Sequence, residues 1–121
     1  MRDKLNLDFC NVQIYDNHII VEMNTGVHIT LKDNTTLINI VDTYFKNKPF
    51  VYITNRVNSY SVDPAVYKET SKITNLVGLC VVSKNFMAKS AAQIEKLFFD
   101  KDFEIFDTLP EAIEWAKTTL A

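Results

Sequence analysis

Apolar and polar positions along this chain follow two rhythms. Near the start, Val12-Gln13-Ile14-Tyr15 alternates, Asp16-Asn17 interrupts, and His18-Ile19-Ile20-Val21-Glu22-Met23 resumes as an extended run. After Asn24-Thr25-Gly26 the alternation returns in Val27-His28-Ile29-Thr30-Leu31. A period of two places successive side chains on opposite faces of a strand, so this third of the chain is expected to form a β-hairpin or meander with a short third strand. From Asp33 the period lengthens: Leu37, Ile38, Val41, Tyr44 and Phe45 recur at helical spacing behind the cap candidates Asn34 and Thr35. Pro49 ends that helix, which should close near Asn47.

The remainder alternates strand and helix. Phe50-Val51-Tyr52-Ile53-Thr54 and Leu76-Val77-Gly78-Leu79-Cys80-Val81-Val82 are apolar runs without alternation, the pattern of strands covered on both faces. Between them Asp63-Pro64 supplies a cap and a first-turn proline, and Val66, Tyr67, Thr70 and Ile73 mark the inward stripe of a helix closing around Asn75. In the third helix Met87, Ala91, Ile94 and Phe98 share one face expected to point inward. Its small residues Ala88, Ala91 and Ala92 allow close approach to a sheet, and Lys89, Gln93 and Lys96 face solvent. Phe103-Glu104-Ile105-Phe106 reads as a short strand. Thr108 and Glu111 have capping-box spacing before Leu109, Ala112, Ile113, Ala116 and Leu120. The order, a β-rich start followed by αβαβαβα, predicts one α/β domain over residues 1–121. It should have about four helices and a mixed sheet whose later strands are parallel.

Composition narrows the function classes. With 121 residues, 47% hydrophobic, and 13 basic against 15 acidic side chains, the chain is an ordinary globular domain without an electrostatic field for nucleic acid. The polar start and the absence of a long apolar run argue against a signal peptide and a membrane span, and the expected location is the cytoplasm. Two glycines in the whole chain exclude a glycine-rich phosphate loop. Cys10 and Cys80 lie far apart, without a C-x-x-C pair, and read as reduced thiols.

The crossover order, the buried 76–82 strand, the Phe98-Phe99 pair and the closing Phe106-Asp107-Thr108-Leu109-Pro110-Glu111-Ala112-Ile113-Glu114-Trp115-Ala116 together resemble the STAS-like group, relatives of the anti-sigma-factor antagonists. The resemblance covers roughly residues 12 to 120. It implies a four-helix, mixed-sheet sandwich and a regulatory, partner-binding role, within a fold group that also contains lipid-binding relatives. In those antagonists a phosphorylatable serine or threonine follows a central strand at the start of a helix. The corresponding stretch here contains Ser59 and Ser61, with Arg56 as the candidate phosphate partner. It departs from the antagonist pattern: no glycine follows, and Asp63 and Pro64 occupy the cap and first turn. Both serines read more simply as turn residues.

Other chemistry-bearing residues have plainer roles beside the functional ones. His18 and His28, on strands expected to be adjacent, form a candidate metal pair with Glu22, but exposed strand histidines explain them as well. Cys80 sits among Leu, Val and Gly and reads as core. Asp100, Asp102 and Glu104 read as a solvated turn before a strand. Tyr60, Tyr67, Phe86 and Phe99 form a candidate apolar groove beside helices two and three, while Trp115, beside the stripe of the last helix, reads as a cover on the core rim. Taken together the expected function is a non-catalytic regulatory module that binds a protein partner or self-associates as a homodimer. The alternative is a module for a small apolar, lipid-like ligand. No enzyme activity, metal or cofactor is expected.

Overall fold

The computed structural model describes Met1–Ala121. Six strands form one sheet: β1 (Asp3–Asn6), β2 (Cys10–Ile14), β3 (His18–Met23), β5 (Phe50–Asn55), β7 (Leu76–Val82) and β8 (Asp102–Phe106), in the order β1-β2-β3-β5-β7-β8. The first three are antiparallel, and β3, β5, β7 and β8 run parallel. Two short strands, β4 (His28–Ile29) and β6 (Ser61–Val62), pair parallel to each other outside that sheet. Four helices complete the chain: α1 (Leu31–Phe45), α2 (Ala65–Ser71), α3 (Phe86–Glu95) and α4 (Leu109–Leu120). This is the mixed α/β architecture the patterning predicts.

Each parallel connection crosses in the same direction, so α1, α2 and α3 lie on one face of the sheet. Their core joins Val12, Ile14, Ile19, Val21, Phe50 and Leu79 from the strands to Leu37, Val41 and Phe45 of α1, Val66 and Tyr67 of α2, and Ala92 of α3. Alone on the opposite face, α4 sets Ala112 and Ala116 against Ile20, Val51, Ile53, Cys80 and Val82. This explains why β5 and β7 are apolar without alternation: both faces are covered. Gly78 permits the fit of α4 at its edge, because a Cβ there would come within 2.9 Å of the Trp115 ring and 3.1 Å of the Asp102 carbonyl. Trp115 also packs beside Phe106, at 5.9 Å between rings, on the rim of that core. The outer strands carry charge on their exposed positions, Lys4 on β1 and Asp102 and Glu104 on β8, which discourages pairing with another edge.

Four local expectations are corrected. Patterning missed β1, whose Leu5 is the only apolar side chain among its four residues. The third strand of the expected meander shrinks to β4, which pairs with β6 rather than β3. It follows a turn in which Gly26 adopts a φ of 79°, a conformation natural to glycine. α1 begins earlier than Asn34: Thr30 and Asp33 form a reciprocal capping box, and Asn34 is buried, exchanging hydrogen bonds with Thr70 of α2. In α3 the inward face is the reverse of the one expected. Ala92 is fully buried, whereas Met87 and Ile94 are exposed.

Candidate functional site

At the carboxyl end of β5 the chain continues beside β7, with the Arg56 amide donating to the Val82 carbonyl at 2.9 Å. Strand alternation from Tyr52 and Thr54 turns Arg56 toward the three-helix layer. Its Nη2 donates to Glu95 Oε1 of α3 at 2.8 Å and to the Tyr67 hydroxyl of α2 at 3.4 Å, and its Nε donates to the Tyr60 hydroxyl at 3.0 Å. The side chains of Arg56 and Glu95 are only 5% and 16% exposed. Burial acts against the guanidinium charge, but Tyr60, Glu95 and Tyr67 outweigh it and raise the Arg56 pKa further. Burial, reinforced by Glu95, pushes the Tyr67 hydroxyl well above the usual phenol range. One cation thus ties β5, α2 and α3 together.

Beneath this cluster lies a cavity of about 30 Å³, walled by Ile29, Leu37, Tyr52, Tyr60, Val66 and Tyr67 among others. That is room for no more than about one or two waters. The expected groove is therefore only half assembled. Tyr60 and Tyr67 meet there, while Phe99 packs edge-on to Phe103 in the core at 5.8 Å and Phe86 stands 79% exposed at the start of α3.

The exposure of Phe86 belongs to a larger feature. Phe86, Met87, Ile94 and Leu97 are between 62% and 81% exposed, and Ala91 is exposed between them. Met87, Ala91, Ile94 and Leu97 follow one another at spacings of three and four residues, and Phe86 precedes Ile94 and Leu97 by eight and eleven, so all five fall on one side of α3 and the following 3₁₀ turn (Lys96–Phe98). The opposite side of the helix carries the buried Ala92 and the inward Glu95. Met87, Ala91 and Ile94, which the apolar pattern assigns to the core, are on the surface, because Glu95 reaches inward to Arg56 and the small Ala92 packs against the core.

Ser59 and Ser61 are exposed in the β5–α2 connection. Arg56, the expected phosphate partner, is committed to Glu95 and the two tyrosines. Ser61 instead has His28 as its neighbour, Nδ1 to Oγ at 2.7 Å. The two histidines do not converge, since His18 lies in the main sheet and His28 in the small one. Burial pushes both cysteine thiols up to about 12. Asp100, Asp102 and Glu104 are exposed. Between them Lys101 turns inward and donates to the carbonyls of Ile73 and Leu76, closing the α2–β7 connection. A polar cleft of about 470 Å³ opens at the carboxyl ends of β5 and β7, where Asn85 and Thr108 cap α3 and α4 with their own side chains.

No family model matches this chain, and no curated protein matches it. Among solved structures it is similar to an uncharacterised protein of the DUF3478 family from Shewanella loihica, described as having a SpoIIAA-like fold. The two superpose with a TM-score of 0.57 over 88% of this chain and 91% of that one, at 9% identity. This chain has the SpoIIAA-like fold. That is the fold of the STAS-like group, as the crossover order and the C-terminal segment imply. At 9% identity the likeness extends to the SpoIIAA-like backbone and to no side chain of the site. No helix of this SpoIIAA-like chain is long and apolar enough to cross a membrane.

The SpoIIAA-like sheet buries one titratable group without full satisfaction. His18 is 7% exposed, its ring stacks on Tyr15 at 4.6 Å, its Nδ1 donates to Asn17 Oδ1 at 2.7 Å, and its Nε2 has no partner. Burial lowers its pKa below 6.5, and the charges of Lys117 and the N-terminal amine add to the effect. The unfolded chain therefore binds a proton at His18 more readily than the folded one. The contribution of His18 to stability is complete above about pH 6.5 and is lost as the pH falls from there through the lowered folded value. Urea midpoints of wild type and His18→Phe at pH 8 and pH 5.5 should show a smaller acid loss in the variant. Equal losses would refute the assignment.

Proposed function

We propose that this chain is a non-catalytic regulatory module that acts in the cytoplasm by binding a protein partner through the outer face of α3. The observation that carries the reading is the contiguous set Phe86, Met87, Ala91, Ile94 and Leu97 on the solvent side of a helix whose orientation is held by a buried ion pair. Solvent-exposed apolar stripes of this kind are uncommon on isolated domains and mark contact surfaces. A lipid-like ligand at Tyr60 and Tyr67 is less well supported, because drug-sized and larger ligands occupy about 300 Å³ or more and the cavity offers about 30 Å³.

The test is photocrosslinking in the native host from a diazirine amino acid placed at Met87, Ile94 or Leu97, with Lys32 on α1 as control. A discrete crosslinked product from the three α3 positions and none from Lys32 is the expected result. Equal labelling from all four positions would defeat the reading.

A further inference from the structure

Resting on that reading, we infer that the α3 face receives an amphipathic helix of a protein partner, lying along α3, with carboxylates along one flank. The apolar stripe runs the full length of the segment from Phe86 to Leu97, which suits an elongated occupant. The small Ser90 and Ala91 sit between the larger Phe86, Met87, Ile94 and Leu97, so the face has a shallow notch at its middle, where a partner side chain can seat between larger neighbours as helices interlock.

Charge selects the chemistry of the partner. Residues 84–97 carry three lysines, Lys84, Lys89 and Lys96, and one acid, Glu95, whose charge is spent on Arg56 inside the fold. Lys84 and Lys96 form no ion pair, whereas Lys89 is paired with Asp107. Lys89 and Lys96 are seven residues apart, which sets them about 10 Å apart along one flank, two turns of helix. An acidic side chain on a facing helix would meet the free Lys96 on that flank, and a second would meet Lys84 just before the helix. A second copy of this chain is a poorer occupant, since two α3 faces would bring their lysines together with no free carboxylate between them. A bilayer is poorer too. Lysines line one flank only, and the other flank closes onto the body of the protein through Glu95, whereas interfacial helices present basic residues across the polar side.

The inference is tested with the full chain and two synthetic amphipathic peptides of about 18 residues, long enough to be helical when bound. Both have leucine at the stripe positions, and one has glutamate and the other lysine on the flank. Fluorescence anisotropy should show the glutamate peptide binding at least about tenfold more tightly than the lysine peptide. Ile94→Asp should abolish binding, and the double variant Lys84→Glu/Lys96→Glu should reverse the preference. These residues are exposed, so the variants should retain the wild-type urea midpoint, which is checked in parallel. Equal binding of the two peptides would overturn the acidic-partner inference while leaving the α3 docking reading intact. So would sedimentation of the chain alone as a dimer that Ile94→Asp dissolves, or flotation with phosphatidylglycerol vesicles. Binding of neither peptide, together with position-independent crosslinking, would remove both.

Discussion

Glu95→Ala is expected to destabilise the fold by about 3 kcal/mol, although Glu95 lies on a surface helix. Truncation leaves the Arg56 guanidinium, 5% exposed, with two tyrosine hydroxyls in place of a carboxylate. A buried cation without its counter-charge costs far more than the pair itself contributes. The double replacement Arg56→Met/Glu95→Leu removes both charges together and should therefore be much less costly than the single one. Urea unfolding of the two variants provides the comparison. If Glu95→Ala costs no more than an ordinary surface substitution, the pair does not hold α3 in place. A second readout comes from the partner face: loss of the tether should also weaken crosslinking from Leu97 more than the fall in folded fraction explains.

For Phe50→Ala the expected loss is about 4 kcal/mol. Phe50 begins β5 with no exposed surface and stacks on Phe45 of α1, with ring centroids 4.5 Å apart and planes within 6°. Both rings belong to the larger core, so removing one leaves a void bounded by a helix and a strand that cannot both collapse into it. Phe106→Ala, on the half-buried rim beside Trp115, should cost clearly less in the same denaturation experiment. A reversed order would place the principal core on the α4 face.

The candidate site was much less legible in the sequence than the fold. Tyr60 and Tyr67, neighbours in the expected groove, do meet, but through Arg56, which stands four and eleven residues before them in the chain and shows no periodic signal. Phe86 and Phe99 share with them only aromatic character and a place near helices two and three. Phe99 continues the buried side of α3 into the core, and Phe86 the exposed side. A cue was present in the run Ala88 to Glu95: small residues and a lone acid share the side opposite Met87 and Ile94. Only an arginine arriving from another element makes that side the buried one.

By itself the sequence determined the alternation of helix and main-sheet strand from α1 onward, the apolar strands β5 and β7, the capping box of α4 and the overall α/β class. These depend on local spacing, on caps reaching three residues along the chain, and on unbroken apolar runs that need cover on both faces. Tertiary structure alone decided the rotation of α3 about its axis, the pairing of β4 with β6, and the capture of Arg56 by Glu95, 39 residues away. Periodicity reports that a helix has an apolar side. Which side faces inward is set by the free energy of burying a charge with or without its partner, and that partner lies just past the end of β5.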